Sequence, residues 1–241
     1  MPELKGQVAV ITGASGGIGR AIALSLAAQG ARLCLIGRNL EKLEEVAERA
    51  KATSEYVKSY QLDLMNEKEI KDFANGLIQE VGYIGILIHS AGVISIGQIE
   101  RAPVEDFDWQ YKINVRAPYI LTQCLLPIMR SSKGQIVFIN SSVGLNARAD
   151  VGQYAATKHA LKAIADSLRE EVNADGIRVL SMFLGRTASP MQAGVHKIEG
   201  KSYFPEKLMQ PEDIAMVVVN ALSLPKTAEV TDICIRPMNK P

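Results

Sequence analysis

A tyrosine and a lysine four residues apart, Tyr154 and Lys158 in the run Gly152-Gln153-Tyr154-Ala155-Ala156-Thr157-Lys158-His159, hold the plainest chemical possibility in this sequence. On a helix the two side chains share a face. A lysine ammonium beside a phenol favours the phenolate. It draws a group that ordinarily titrates near ~10 toward the range where general acid and base catalysis is efficient. Spacing alone does not make a site, because the chain repeats it at Tyr203 and Lys207. There Pro205 stands between the two residues and argues against a helix through the pair.

A second group of residues suits a nucleotide. Directly after the first apolar run comes Thr12-Gly13-Ala14-Ser15-Gly16-Gly17-Ile18-Gly19-Arg20. Glycines belong where backbone turns sharply and approaches a pyrophosphate, whose charge is met by amide groups at a helix N-terminus. The spacing is Gly13-x-x-x-Gly17-x-Gly19, not the shorter dinucleotide fingerprint. The second apolar run ends Leu35-Ile36-Gly37-Arg38-Asn39, at the place where such domains offer an acid to the adenosine ribose. A carboxylate there would repel a 2′-phosphate, whereas Arg38 can pair with one. The sequence thus favours NADP(H) over NAD(H), with a solvated arginine opening a charged helix as the plainer alternative.

The elements that must position these groups alternate along the chain. Residues 7–11, 32–36, 56–61, 84–89, 135–140, 178–183 and 232–235 read as strands, several of them apolar throughout, which requires burial on both faces. Between them, residues 18–29, 40–52, 67–81, 104–130, 154–173 and 211–222 carry helical patterns. Gly30 and Gly82 close two of them, Asn66 with Glu69 forms a capping box, and Pro211 fits a first helical turn. The alternation predicts a doubly wound parallel sheet of about seven strands with helices on both faces. No linker or repeat divides it, so residues 1–241 are expected to form one domain. One long irregular connection, residues 185–210, follows the sixth strand. Met191, Val195, Ile198, Tyr203 and Phe204 favour a substrate-covering segment over a plain surface loop.

Composition narrows the function classes. With 27 basic and 26 acidic residues interspersed, the net charge is +1, so no extended basic face for nucleic acid or an acidic membrane is implied. The N-terminal residues lack the long apolar region of a signal peptide, and no uncharged apolar stretch is long enough to span a bilayer. A cytoplasmic location is expected. Cys34, Cys124 and Cys234 are odd in number and far apart, which suits buried reduced thiols better than disulfides or zinc, and no metal site is expected.

At this point the chain resembles the short-chain dehydrogenase/reductase superfamily, in its roughly 250-residue branch, over essentially its full length. The resemblance is carried by Thr12 to Gly19, Asp63-Leu64, His89-Ser90-Ala91-Gly92, Asn114-Val115, Ser141, Tyr154 with Lys158, and Gly185 to Ser189. It implies a Rossmann-type fold and an oxidoreductase that passes hydride between a nicotinamide and a small or medium carbonyl or secondary alcohol. It implies that Tyr154 is the acid or base, and that Lys158 lowers its pKa and holds the nicotinamide ribose. Ser141 would hydrogen-bond the substrate oxygen, and Asn114 would hold a water that links Lys158 to solvent. Arg38, Asp63, Leu64, Ser90, Ala91 and Gly92 match positions lining the adenosine and ribose, and Ser15 and Ile18 count with the glycine turn among the cofactor-binding residues. Gly185, Thr187 and Ser189 match the segment that binds the nicotinamide amide. Ser141 fits the family's Ser-x-x-Gly pattern. Ser142 is offset by one, which turns a side chain the other way along an extended backbone.

Departures from the family pattern are also present. His89-Ser90-Ala91-Gly92 replaces the usual Asn-Asn-Ala-Gly, and His89 reads as structural. Leu184 stands for the usual proline and Ser189 for the usual threonine. The C-terminal run Val230-Thr231-Asp232-Ile233-Cys234-Ile235-Arg236-Pro237 resembles relatives that reduce small hydroxy acids or aldehydes more than the oxoacyl reductases. Asn146, Arg148, Val151 and Met191 are expected to shape the substrate pocket, and Arg148 hints at an acidic substrate. The helices at 104–130 and 154–173 are the faces that family members pair, so a homo-oligomer, dimer or tetramer, is expected. Two other readings stay open: a dehydrogenase of the same family using NAD, and a silent nucleotide sensor or scaffold.

Overall fold

Seven strands pair into one sheet: β1 (Val8–Thr12), β2 (Arg32–Gly37), β3 (Val57–Gln61), β4 (Ile86–His89), β5 (Gln135–Ser141), β6 (Arg178–Leu184) and β7 (Asp232–Ile235). Their order is β3-β2-β1-β4-β5-β6-β7, and every neighbouring pair is parallel. This computed structural model describes residues 4–238, so the outermost residues of the expected 1–241 span lie outside it. Parallel pairing needs a crossover between strands. Eight α-helices occur among the described residues: α1 (Gly17–Ala28), α2 (Leu40–Ala50), α3 (Glu67–Val81), α4 (Val104–Tyr111), α5 (Ala117–Ser132), α6 (Gly152–Val172), α7 (Pro190–Ile198) and α8 (Pro211–Leu222).

The apolar runs explain the layering. All of β1 is buried, and its side chains alternate between two cores as period-two geometry demands. Ala9 and Ile11 join Ile22 and Leu26 of α1, Leu43 of α2 and Val218 of α8. Val8 and Val10 join Leu77 of α3, Leu125 of α5 and Leu161 of α6. The result is one α/β domain of the doubly wound, Rossmann type, with helices on both faces of the sheet. β1 lies between β2 and β4, so the chain winds outward in opposite directions from β1. That switch point opens a crevice beyond the carboxyl ends of the strands.

Several expected boundaries move. The helix expected over 104–130 is α4 and α5 joined by a π turn at Lys112–Arg116. The connection expected to be irregular over 185–210 contains α7 and a 3₁₀ turn at Pro205–Lys207. Pro190 at the first helical position and the Ser189 hydroxyl, which accepts from Gln192 N, start α7 there, a combination of start signals concealed by the surrounding polar residues. At α3, Asn66 Oδ1 accepts from Lys68 N and Glu69 N at 3.1 and 3.3 Å. Glu69 reaches the Asn66 side chain and the Asp63 N–H, not the Asn66 N–H, so the reciprocal half of the expected capping box is missing. At the start of α8 the Asp213 carboxylate does reach back to the Gln210 N–H, at 2.8 Å. The three thiols are free, but only Cys34 is buried. Cys234 is exposed because β7 is an edge strand with alternate residues turned outward. Among the described residues no helix is long and apolar enough to cross a membrane, and no group of three or more His, Cys, Asp or Glu could hold a metal.

Asn66 alone satisfies two orphan N–H groups at the start of α3. Asn66→Ala is expected to cost about 1 kcal/mol of unfolding free energy, read in urea titrations, while Glu69→Ala costs less than half as much.

Candidate active site

The glycine turn follows β1 directly. Gly13 has φ +68, and a Cβ there would come within 2.8 Å of Ala91 N and Cα. A Cβ on Gly19 would run into the Gly13 carbonyl oxygen. These glycines therefore let the turn lie against the segment after β4. Gly16 caps α1 without any side-chain hydrogen bond, and no acidic residue stands in the first turn of α1. Uncapped amides at a helix start, with no side chain over Gly16, form a cradle that fits an anionic diphosphate. Ser15 Oγ sits against Gly37 at the end of β2. Arg38 beyond it is exposed, with its carbonyl held by Gln61 Nε2 at 3.0 Å. At the end of β3, exposed Asp63 accepts from Met65 N at 3.0 Å and Leu64 is half-buried.

Thr12 performs a role that the sequence did not reveal. Its hydroxyl donates to Ile88 O at 3.3 Å and accepts from Ser90 N and Ala91 N, both at 3.1 Å. One buried hydroxyl thus shapes the Ser90-Ala91-Gly92 turn. The only signal was its place as the last residue of the strand. His89, just before that turn, is buried. Its Nε2 lies 2.8 Å from Thr122 Oγ1, its ring stacks on Phe138, and burial pushes its pKa down to about 3. It is a neutral packing residue, as the sequence reading had it.

Asn114 occupies the π turn and is fully buried. Its Oδ1 accepts from Val93 N at 2.8 Å, and its Nδ2 donates to Val93 O at 2.8 Å and to Thr157 Oγ1 at 3.1 Å. It therefore ties the irregular segment following β4 to α6. A Cβ on Gly92 would stand 3.5 Å from Asn114 Oδ1 and 3.9 Å from Lys158 Nζ.

Strand β5 runs one residue farther than expected and ends at Ser141, whose hydroxyl faces the Tyr154 phenol and lowers its pKa. Ser142 is exposed and opens a 3₁₀ turn. Asn140 holds this end in place, accepting from Ser141 N at 2.7 Å and donating to Lys158 O at 3.1 Å. Gly144 packs closely between β5 and α6, so that a Cβ would meet Asn140 Oδ1 at 2.7 Å and Lys158 O at 3.0 Å. Lys158, one helical turn after Tyr154 on α6, is buried and donates to Ile139 O at 3.1 Å, with Nζ 5.7 Å from the centre of the Tyr154 ring.

The electrostatics differ from the simple expectation. Burial pushes the Tyr154 phenol up to about 12, opposed by the Ser141 hydroxyl, and pushes the Lys158 ammonium down to about 8. Desolvation disfavours the charged form of each group. In this arrangement it outweighs the attraction that the four-residue spacing implies. The phenol accordingly holds its proton at neutral pH, and the lysine remains cationic there.

Tyr154, Lys158 and Ser141 line a cavity of about 880 Å³ together with Ile18, Ser90, Gly92, Gly185, Thr187 and Ser189. The other expected nucleotide residues lie along the same edge of the sheet, Gly13, Ser15, Arg38, Asp63, Leu64 and Ala91 in the connections after β1 to β4 and Gly17 and Gly19 in the first turn of α1. Gly17 links the two halves, because a Cβ on it would lie 3.6 Å from Ser189 Cβ. Gly185 N donates to Ile235 O at 2.8 Å, and the Thr187 hydroxyl to Gly185 O at 3.2 Å. Tyr203 OH accepts from Ser189 N at 3.1 Å and so anchors the start of α7, while Lys207 lies apart, its Nζ 4.5 Å from the centre of the Phe204 ring. Arg186 Nη2 binds both Glu199 carboxylate oxygens at 2.6 and 2.7 Å, and Lys201 Nζ lies 3.0 Å from the same carboxylate. This ionic cluster escaped the sequence reading because its members lie up to fifteen residues apart across a helix that the sequence did not reveal.

Residues 7–199 match the family described as short chain dehydrogenase. The chain is 34% identical over 239 residues to an uncharacterized oxidoreductase of Staphylococcus epidermidis, covering 99% of this chain and 100% of that protein. It is similar in structure to a metagenomic short-chain oxidoreductase solved in complex with NADP, with 32% identity, a TM-score of 0.85, and coverage of 99% and 100% of the two chains. It is also similar to an alcohol dehydrogenase from the archaeon Thermococcus sibiricus, solved with 5-hydroxy-NADP. There the identity is 26%, the TM-score 0.88, and the coverage 98% and 99%. The chain belongs to the short-chain dehydrogenase family. Within it, this protein is an oxidoreductase with a seven-stranded Rossmann-type fold.

The lowered pKa of Lys158 has a measurable sign. The folded value, about 8, lies below the ordinary ~10.4. The cost of burying the charge is therefore fully present below pH 8 and is relieved as pH rises from 8 toward 10. Relative to Lys158→Met, the wild type is expected to gain on the order of 1–2 kcal/mol of unfolding free energy between pH 7.5 and 9.5, as read in urea titrations. An unchanged difference would show that Lys158 is not desolvated.

Proposed function

We propose that this protein is an NADP(H)-dependent carbonyl reductase, or alcohol dehydrogenase in the reverse direction, acting on a small or medium carbonyl or secondary alcohol. The observation that carries this reading is the grouping of Tyr154, Ser141 and Lys158 on the wall of one cavity at the carboxyl ends of the strands. Gly13 to Gly19, with Ser15 and Ile18, would hold the diphosphate and Arg38 the 2′-phosphate. Asp63, Leu64 and the Ser90–Gly92 turn would line the adenosine and ribose. Gly185, Thr187 and Ser189 would meet the nicotinamide amide. When bound, the reduced nicotinamide supplies the hydride that adds to the carbonyl carbon.

The side chains supply the rest. Tyr154 donates its phenolic proton to the carbonyl oxygen as the carbon–oxygen double bond becomes single, and is left as phenolate. Its protonated state at neutral pH, with burial pushing it to about 12, equips it to act as that acid. Lys158 stabilises the phenolate and Ser141 donates to the same substrate oxygen as charge develops. Asn114 ties Val93 to Thr157 and, close to Gly92 and Lys158, would hold the water through which the proton is replaced. The segment from Gly185 to Gln210 covers the substrate. NADP complexes of similar proteins add support for the cofactor. Exposed Phe107, Tyr111 and Tyr119 on the face of α4 and α5 favour pairing of that face in a homo-oligomer.

Tyr154→Phe is expected to lower kcat for carbonyl reduction at least about 100-fold while NADPH affinity, measured by calorimetry, stays within a factor of three. Equal turnover by the two proteins would remove Tyr154 from the mechanism. Because Lys158 must be cationic, the reduction rate should fall as pH rises through about 8. For the cofactor, Arg38→Asp is expected to reverse the preference between NADP and NAD. Tighter NAD binding by the wild type would overturn the assignment.

A further inference from the structure

The charges around the cavity are lopsided. Besides Lys158, its wall carries five cationic side chains, Arg148, Arg186, Lys201, Lys207 and Arg236, against the single carboxylate of Glu199. The chain as a whole is balanced, with 27 basic and 26 acidic residues, so the imbalance is local. Glu199 is already engaged by Arg186 and Lys201. Among the described residues, no ion pair engages Arg148, Lys207 or Arg236. All three are exposed at the cavity wall.

Their origin separates them from the end of the site assigned to the cofactor's phosphates. The glycine turn and Arg38 follow β1 and β2 on one side of the switch point. Arg148 comes from the loop after β5, Lys207 from the connection after β6 and Arg236 from the residues after β7, on the other side. Three cations that no carboxylate pairs with, one of them, Lys207, lying over the Phe204 ring, thus approach one cavity from three successive loops. The remainder of that wall includes Ile94, Ile96, Val143, Val151 and Met191, which suit a carbon skeleton. Guanidinium groups pair well with planar or tetrahedral oxyanions, and a cavity lined by one sign of charge concentrates ligands of the opposite sign.

We infer that the substrate of this site is an anion, an oxo or hydroxy compound bearing a carboxylate or a phosphate ester, whose charge is taken up by Arg148, Lys207 and Arg236. This rests on the reading of the cavity as a site of carbonyl reduction. The bridging pair of Arg186 and Glu199 is structural here: it fixes α7 against the start of its segment and leaves the anion to the other three.

The test uses matched pairs differing only in charge: 2-, 3- and 4-oxo acids against their methyl esters, and dihydroxyacetone phosphate against dihydroxyacetone, each with NADPH at low and high salt. The expected result is a kcat/KM at least about tenfold higher for one charged member than for its neutral partner, an advantage that shrinks in 0.5 M NaCl as screening predicts, roughly. Which pair responds distinguishes carboxylate from phosphate. Arg148→Ala with Arg236→Ala should raise KM for the charged member at least about tenfold more than for the neutral one, with kcat much less affected. Calorimetric titration with malonate gives a readout independent of turnover, and binding should weaken in the double variant. Neutral partners reduced as well as or better than every charged one would overturn the inference and leave carbonyl reduction standing. No turnover of any carbonyl, charged or neutral, would remove the reductase reading and the inference with it.

Discussion

The parallel pairing of β1 with both β2 and β4 is the constraint on which the rest of this molecule depends. Parallel strands bring all their carboxyl ends to one edge, so residues far apart in sequence converge there without any direct attraction between them. Gly13, Arg38, Ser90, Ser141, Gly185 and Arg236 all follow or end strands at that edge. Burial of both faces of the sheet between the two helical layers keeps the edge in register. Elements that look decorative are fasteners between neighbouring strand ends. The Thr12 hydroxyl joins the turn after β4 to β1, and the Asn140 amide joins β5 to α6.

At that edge, water exclusion sets the electrostatic character of the site. Tyr154 and Lys158 are each pushed toward neutrality by burial, one upward and the other downward. Burial thus draws the two groups apart: the phenol holds its proton more tightly than in water, and the ammonium gives its proton up more readily. Unlike Lys158, the side chains of Arg148, Lys207 and Arg236 at the cavity wall are exposed to solvent.

Legibility followed the range of the forces involved. The strands were visible because double-sided burial writes itself as continuous apolarity, as in Ile86–His89. The glycine turn was visible because close backbone approach admits no other residue, as at Gly13. What stayed hidden was made by contacts across the fold. No local pattern shows that Asn114 reaches Val93 and Thr157, or that Arg186 finds Glu199. Helix α7 hid within polar sequence, because its start signals at Ser189 and Pro190 outweigh a weak apolar pattern. The pKa directions were also out of reach, since spacing reveals a neighbour but not how much water surrounds it.

The π turn at Lys112–Arg116 acts as a phase shift within what would otherwise be one long helix. Each residue advances an α-helix by about 100°, so one surplus residue rotates everything before it relative to everything after. α5 thereby presents Leu121, Leu125 and Met129 to the core, while α4 buries only Gln110. Removing a single residue would restore regular helical bonding, but it would swing one of these faces out of step and carry Asn114 away from Val93. A fold optimised for backbone regularity alone would shed that residue. Its retention means that the chain carries an irregularity as a spacer, with local helical order yielded to angular placement.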